Sequence, residues 1–204
     1  MSLYLTRLVL NPESPRVQAE LMRPYQLHRT LWRAFGEKAS GRLLYRLETD
    51  SAVPVLLVQS PWSGDWGHLS RVGYLHEPHE LLLENPAEKL FTPRFEPGQV
   101  LRFRLRANPT YKVGNRRLGH LNPEWQMAWL ARRAALGGFS LVQAVGRGEG
   151  LQTLQKGQQR LRMYSVLYEG LLQVQEAEGM AEAIRNGIGS GKGFGFGLLS
   201  VKSP

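Results

Sequence analysis

The 204-residue sequence predicts an α+β fold of two tandem β-α-β-β-α-β domains, on three observations. Short runs rich in β-formers alternate with segments of helical periodicity along the whole chain. Asn85 to Pro97 carries Pro86, Pro93 and Pro97 with mixed charge, which marks a linker or domain edge. Beyond it, the elements follow one another in the order β-α-β-β-α-β, the ferredoxin-like order. The expected domains are residues 1–90 and 91–204.

Leu3 to Leu10 alternates and reads as a strand. Asn11 to Met22 is polar with two prolines, and a helix is expected to open only at Pro24, whose missing N–H is harmless at a first helical position. Leu27, Leu31, Ala34 and Phe35 form its apolar stripe, and Gly36 ends it. Arg42 to Leu47 and Val53 to Gln59 are expected strands joined by Glu48-Thr49-Asp50-Ser51. Pro61 to Ser70 reads as a short irregular helix or loop. His76-Glu77-Pro78-His79-Glu80 lacks the helical spacing of a metal motif and reads as exposed loop.

In the second half, Leu101, Phe103 and Leu105 alternate with Arg102, Arg104 and Arg106, so one face of the strand is apolar and the other cationic. That second face is either open to water or a track for phosphates. Thr110 to Leu121 reads as a basic loop. Asn122-Pro123 opens a second helix, with Met127, Leu130, Ala131, Ala134 and Leu136 available to its core side and Gly137-Gly138 as its stop. Phe139 to Val145 is expected as a strand, Gly146 to Gly157 as a glycine-rich turn, and Arg160 to Val174 as one long or two short strands. A helix over Glu176 to Arg185 and a last strand from Phe194 to Val201 complete the order.

The composition excludes several classes of function. At 42% hydrophobic and 21% charged it is that of an ordinary globular protein. The apolar opening is too short for a signal segment or a membrane span, so a cytoplasmic protein is expected. With no cysteine there is no thiol nucleophile, disulfide or zinc-finger spacing. The net charge of +9 is lopsided: residues 1–96 hold 11 basic and 11 acidic residues, residues 97–204 hold 15 and 6. Such an excess favours a polyanion, with nucleic acid the natural partner.

Two stretches bear on chemistry. Tyr25, His28, Arg29 and Trp32 are spaced three and four apart, so they share a face of the Pro24 helix away from its apolar stripe. Gly187, Gly189, Gly191, Gly193, Gly195 and Gly197 lie within eleven residues around Lys192. This is not a nucleotide loop of known spacing: Asn186 and Gly193 stand where a Walker motif needs glycine and Ser/Thr. It reads as a helix-to-strand loop that lets a backbone or an anion approach closely.

Taken together, Pro24-Tyr25-x-x-His28-x-x-Leu31-Trp32, the run from Leu101 to Pro109, Trp129-Leu130-Ala131-Arg132-Arg133, Tyr168-Glu169-Gly170 and the ending Gly195-Phe196-Gly197-Leu198-Leu199-Ser200 resemble the CasE (Cse-type) CRISPR RNA endoribonucleases of the type I-E Cascade, a branch of the RAMP superfamily. The tail departs from the family pattern at Ser190, often proline there, and in extra glycines at Gly191, Gly193 and Gly195. The resemblance implies two ferredoxin-like, RRM-like domains that bind the stem-loop of a CRISPR repeat. It implies cleavage of precursor crRNA at the 3′ base of the hairpin, by attack of a ribose 2′-OH without metal or cofactor. The expected partners are the repeat RNA and the other Cascade subunits, with the free protein monomeric.

By family position Tyr25 and His28 are the catalytic pair. Imidazole, with an ordinary pKa near 6.5, serves as base or acid near neutrality. A phenol suits phosphate orientation better, and Arg29 is placed to stabilise charge developing on phosphorus. The expected RNA-binding residues are Arg102, Arg104, Arg106, Lys112, Arg116, Arg117, Arg132, Arg133, Arg160 and Lys192. A non-catalytic RNA-binding RAMP subunit is the alternative that these residues leave open.

Overall fold

The computed structural model describes residues 2–36, 41–48, 53–77 and 84–204. Residues up to Thr92, together with Gly193–Gly195, form one compact unit; Pro93–Lys192 and Phe196–Pro204 form another. Each is built on a four-stranded antiparallel sheet.

In the first unit, β1 (Leu3–Val9), β2 (Leu44–Glu48), β3 (Val55–Ser60) and β4 (Ala87–Phe91) lie in the order β2-β3-β1-β4. Between β1 and β2 run α1 (Pro15–Leu21), α2 (Pro24–Trp32) and a 3-10 turn over Arg33–Phe35. The four-residue α3 (Gly67–Ser70) follows β3. Leu27, Leu31 and Ala34 pack with Leu8, Leu56, Val58, Leu69 and Tyr74, which confirms the stripe expected of the Pro24 helix. Two expectations need correction. The polar segment before Pro24 contains α1, held by the buried carboxylate of Glu20, which accepts from Arg16 Nε at 3.0 Å, Thr30 Oγ1 at 2.9 Å and Tyr74 Oη at 2.8 Å. These bonds tie α1 to α2. The proline-rich stretch contains β4, a short edge strand fitted between Pro86 and Pro93, where prolines are tolerated because one edge makes no ladder. Thr49, Asp50, Ser51, Pro78, His79 and Glu80, in the expected turn and loop, lie outside the described residues.

In the second unit, β5 (Val100–Ala107), β8 (Phe139–Lys156), β9 (Gln159–Val174) and β10 (Leu199–Lys202) lie in the order β10-β5-β9-β8. Numbering the four in chain order makes this 4-1-3-2, the ferredoxin-like arrangement found also in the first sheet. Leu101, Phe103 and Leu105 are buried as expected. Four readings change. Thr110 to Leu121 is mostly a hairpin, β6 (Thr110–Val113) and β7 (Arg116–Gly119), with Tyr111, Val113 and Leu118 on one face, all three exposed. The glycine-rich stretch after Val145 is no turn but the continuation of β8. A Cβ at Gly146 would lie 3.0 Å from the Tyr168 ring and one at Gly148 2.8 Å from Tyr164 Oη, so these glycines make room for aromatic rings of the neighbouring strand. In α4 (Pro123–Leu136), Ala131 and Leu136 are exposed, and Gln126 and Trp129 take places in the core. Asn122 caps α4 as expected, its Oδ1 accepting from Glu124 N at 2.7 Å. After α5 (Ala177–Asn186), a 3-10 turn over Lys192–Phe194 replaces the start expected for the last strand. Among the described residues, no helix is long and apolar enough to cross a membrane.

Candidate nuclease site and nucleic-acid interface

The site in the first unit is set by α2. Residues 25, 28 and 32 follow the helical three- and four-residue spacing, so Tyr25, His28 and Trp32 line one strip of the helix. The Tyr25 and His28 rings stack with centroids 6.1 Å apart at 22°. Trp32 Nε1 donates to His28 Nε2 at 3.0 Å. Because an indole N–H only donates, Nε2 must present its lone pair, and the neutral imidazole carries its proton on Nδ1. Trp32 is itself wedged against Phe35 and Trp62, with ring centroids at 6.2 and 6.5 Å. The imidazole orientation therefore rests on a packed aromatic cluster.

Residues far away in sequence complete this environment. Tyr45, on β2, lies 6.1 Å from the His28 ring, and its hydroxyl donates to the Pro24 carbonyl at 2.7 Å, fixing the first turn of α2 to the sheet. Burial holds its phenol protonated, well above the usual range for tyrosine. Phe194 packs on Tyr25 at 5.7 Å. A Cβ on Gly193 would sit 3.7 Å from His28 Nδ1 and Cε1. Tyr45 and Phe194 carried no local signal in the sequence: each is one aromatic in a buried strand or a glycine-rich tail. Arg29 is exposed on the same helix.

The second unit displays the cations. Arg102, Lys112, Arg116, Arg117, Arg132, Arg133 and Arg160 are all exposed. The other two strand arginines are engaged. Arg104 Nε donates to Glu169 at 2.7 Å, and Arg106 makes a two-pronged pair with Glu149 at 2.7 and 2.8 Å. Burial would raise the Glu149 carboxyl, but hydrogen bonds from Arg106 and Ser165 and the Arg106 charge outweigh it and hold it below the usual carboxylate range. The cationic face of β5 is thus partly neutralised by acids from β8 and β9.

A cleft of about 500 Å3 opens between the β6–β7 hairpin, α4 and the glycine loop, with Lys112, Arg117, Arg133 and Lys192 in its lining. Lys192 Nζ donates to the Gly189 carbonyl at 2.8 Å. Two further lining residues, Trp129 and Ser190, keep a buried Nε1 and Oγ without a hydrogen-bond partner among the described residues. Gly187, Gly189, Gly191, Gly195 and Gly197 have φ between 69° and 92°, a region that only glycine occupies readily, whereas Gly193 does not.

A family model described as CRISPR associated protein matches residues 3–203. This chain belongs to that family. Its resemblance to the CasE branch is carried by similarity to the CRISPR-associated endoribonuclease Cse3 of Thermus thermophilus, 38% identical over 98% of this chain and 99% of that protein. The structure of Thermus thermophilus Cse3 bound to an RNA representing a pre-cleavage complex superposes with a TM-score of 0.86, at 37% identity, covering 99% of this chain and all of that one. The CRISPR system Cascade subunit CasE of Escherichia coli is 28% identical over 87% of this chain and 90% of its own length. The tandem ferredoxin-like architecture of this CRISPR associated protein agrees with these matches.

Proposed function

We propose that the chain is an endoribonuclease that binds the stem-loop of CRISPR repeat RNA, cuts precursor crRNA at the 3′ base of the hairpin and stays bound to the product as a subunit of Cascade. Its kinship with Cse3 and CasE supports this reading. The observation that carries it is the His28 imidazole, stacked on Tyr25 with its tautomer set by Trp32. The cytoplasm is the place of action on this reading.

The reaction is metal-independent transesterification. As O2′ bonds to phosphorus it gives up its proton, and as the P–O5′ bond breaks O5′ takes one, leaving a 2′,3′-cyclic phosphate and a 5′-OH. His28 Nε2 holds the lone pair, so it is the atom that accepts the 2′-OH proton once the hydroxyl takes the place of the indole N–H. Tyr25 orients the phosphate, and Arg29 balances charge building on its oxygens. Arg102, Lys112, Arg116, Arg117, Arg132, Arg133 and Arg160 hold the RNA backbone. The unpartnered Trp129 N–H and Ser190 hydroxyl, beside Lys192 and Arg133, suit a phosphate in the cleft.

Cleavage of the host repeat hairpin on a denaturing gel tests the reading. Wild-type protein should cut in EDTA, His28→Ala should bind but not cut, and a 2′-deoxy nucleotide at the scissile position should block the reaction. Cutting of the deoxy substrate, or by His28→Ala, would overturn the assignment.

A further inference from the structure

Three rings in the second unit lie outside every residue assigned above to catalysis or phosphate binding. Tyr111 on β6, His120 just past β7 and Trp125 in the first turn of α4 form a continuous ladder. Tyr111 and His120 have centroids 4.7 Å apart at 33°, and His120 and Trp125 lie nearly parallel at 11° and 6.4 Å. The middle ring is buried at 9% exposure, while the outer two stand open, Tyr111 at 43% and Trp125 at 59%. An aromatic this exposed contributes little to folding. Nor is Trp125 required to cap α4, because the Asn122 side chain already accepts from the backbone of that turn.

The buried ring has its own peculiarity. His120 Nε2 has no hydrogen-bond partner among the described residues, so the imidazole is held by stacking. Burial, reinforced by the charge of Arg132, lowers its pKa below the usual range, and the ring stays neutral at physiological pH. The ladder therefore offers uncharged π-faces beside exposed cations: Arg116 on the same face of the hairpin as Tyr111, and Arg132, whose charge acts on His120.

We propose that Tyr111, His120 and Trp125 form a platform on which an unpaired base of the bound RNA stacks. Flat faces next to phosphate-binding cations suit a nucleotide better than a protein side chain, because one ligand then satisfies both. The base must be unpaired or terminal: in an A-form stem both faces of each base are covered, and the major groove is too deep and narrow for side chains to reach them. Stacking tolerates any base, so the platform adds affinity and register without reading sequence. This proposal rests on the RNA-binding reading above.

Single abasic substitutions through every unpaired position of the repeat hairpin and its flanks test it, by equilibrium binding at fixed salt. Wild-type protein should lose about tenfold in affinity at one position. Trp125→Leu should bind the intact RNA about tenfold more weakly and no longer respond to that abasic site, with cleavage at saturation and the salt dependence unchanged. Trp125→Phe should restore most of the loss. Both variants change an exposed side chain and should melt like wild type. Normal binding with no sensitive position, or a Trp125→Leu variant that keeps the abasic response, would overturn the platform alone. Wild-type protein that binds no RNA hairpin would overturn the RNA reading and the platform with it.

Discussion

One helical turn apart on α2, the Trp32 indole donates across 3.0 Å to the nitrogen of His28 that the proposed chemistry uses as a base. The bond fixes which nitrogen carries the lone pair, and the aromatic packing of Trp32 against Phe35 and Trp62 fixes where that nitrogen points. Trp32→Phe keeps the packing and removes the donor. Imidazole nitrogen chemical shifts in the free variant should show the Nε2–H tautomer gaining population, and the single-turnover cleavage rate should fall about 3- to 10-fold, the effect of one hydrogen bond of roughly 1 kcal/mol. Affinity for RNA should not change. A variant with unaltered nitrogen shifts would show that the indole does not select the tautomer.

Glu20 gives a second expectation, for stability. The residue is 6% exposed and its carboxylate receives Arg16, Thr30 and Tyr74, so Glu20→Ala leaves buried donors unpaired and loosens α2. Urea denaturation should show a loss of about 2–4 kcal/mol. Glu20→Gln, which still accepts hydrogen bonds, should lose less.

The Glu149 carboxylate makes acid stability predictable in sign. Its folded pKa is depressed, so its contribution is complete above the unfolded value of about 4.3 and disappears as pH falls through the lower folded value. The urea midpoint of wild-type protein should drop steeply below about pH 4. Glu149→Gln should start lower at pH 7 and fall less over the same range.

Arg102 and Arg106 share one strand but should behave differently. Arg102 is exposed, and Arg102→Ala should reduce the slope of log affinity against log salt by about one with little effect on folding. Arg106 is paired with Glu149, and Arg106→Ala should reduce thermal stability more than it reduces the salt slope.

These contrasts also mark what a sequence discloses. The starts of α2 and α4 were legible because Pro24 and Asn122-Pro123 act locally, and β5 because its alternation is complete over seven residues. The pairings of Arg104 and Arg106 were not, since their acids stand 65 and 43 residues away and only strand register brings them close. β4 was hidden because an edge strand of five residues needs neither a strong apolar pattern nor freedom from flanking prolines. The glycines of β8 were misread because glycine signals a turn unless a ring from the next strand requires the space. The proposed pair Tyr25 and His28 is read from a family pattern; Tyr45 and Phe194, brought beside them by the fold, belong to no local pattern.

Gly193 differs from its five neighbours in the tail. Its backbone angles suit any residue, and a methyl group there would meet His28 and Tyr25 at 3.7 and 3.8 Å, ordinary contact distances. The fold thus accepts alanine at this position without strain, while the volume next to the imidazole shrinks by one methyl. Selection for glycine here would be selection for empty space, and that space lies against the ring on which the proposed chemistry rests.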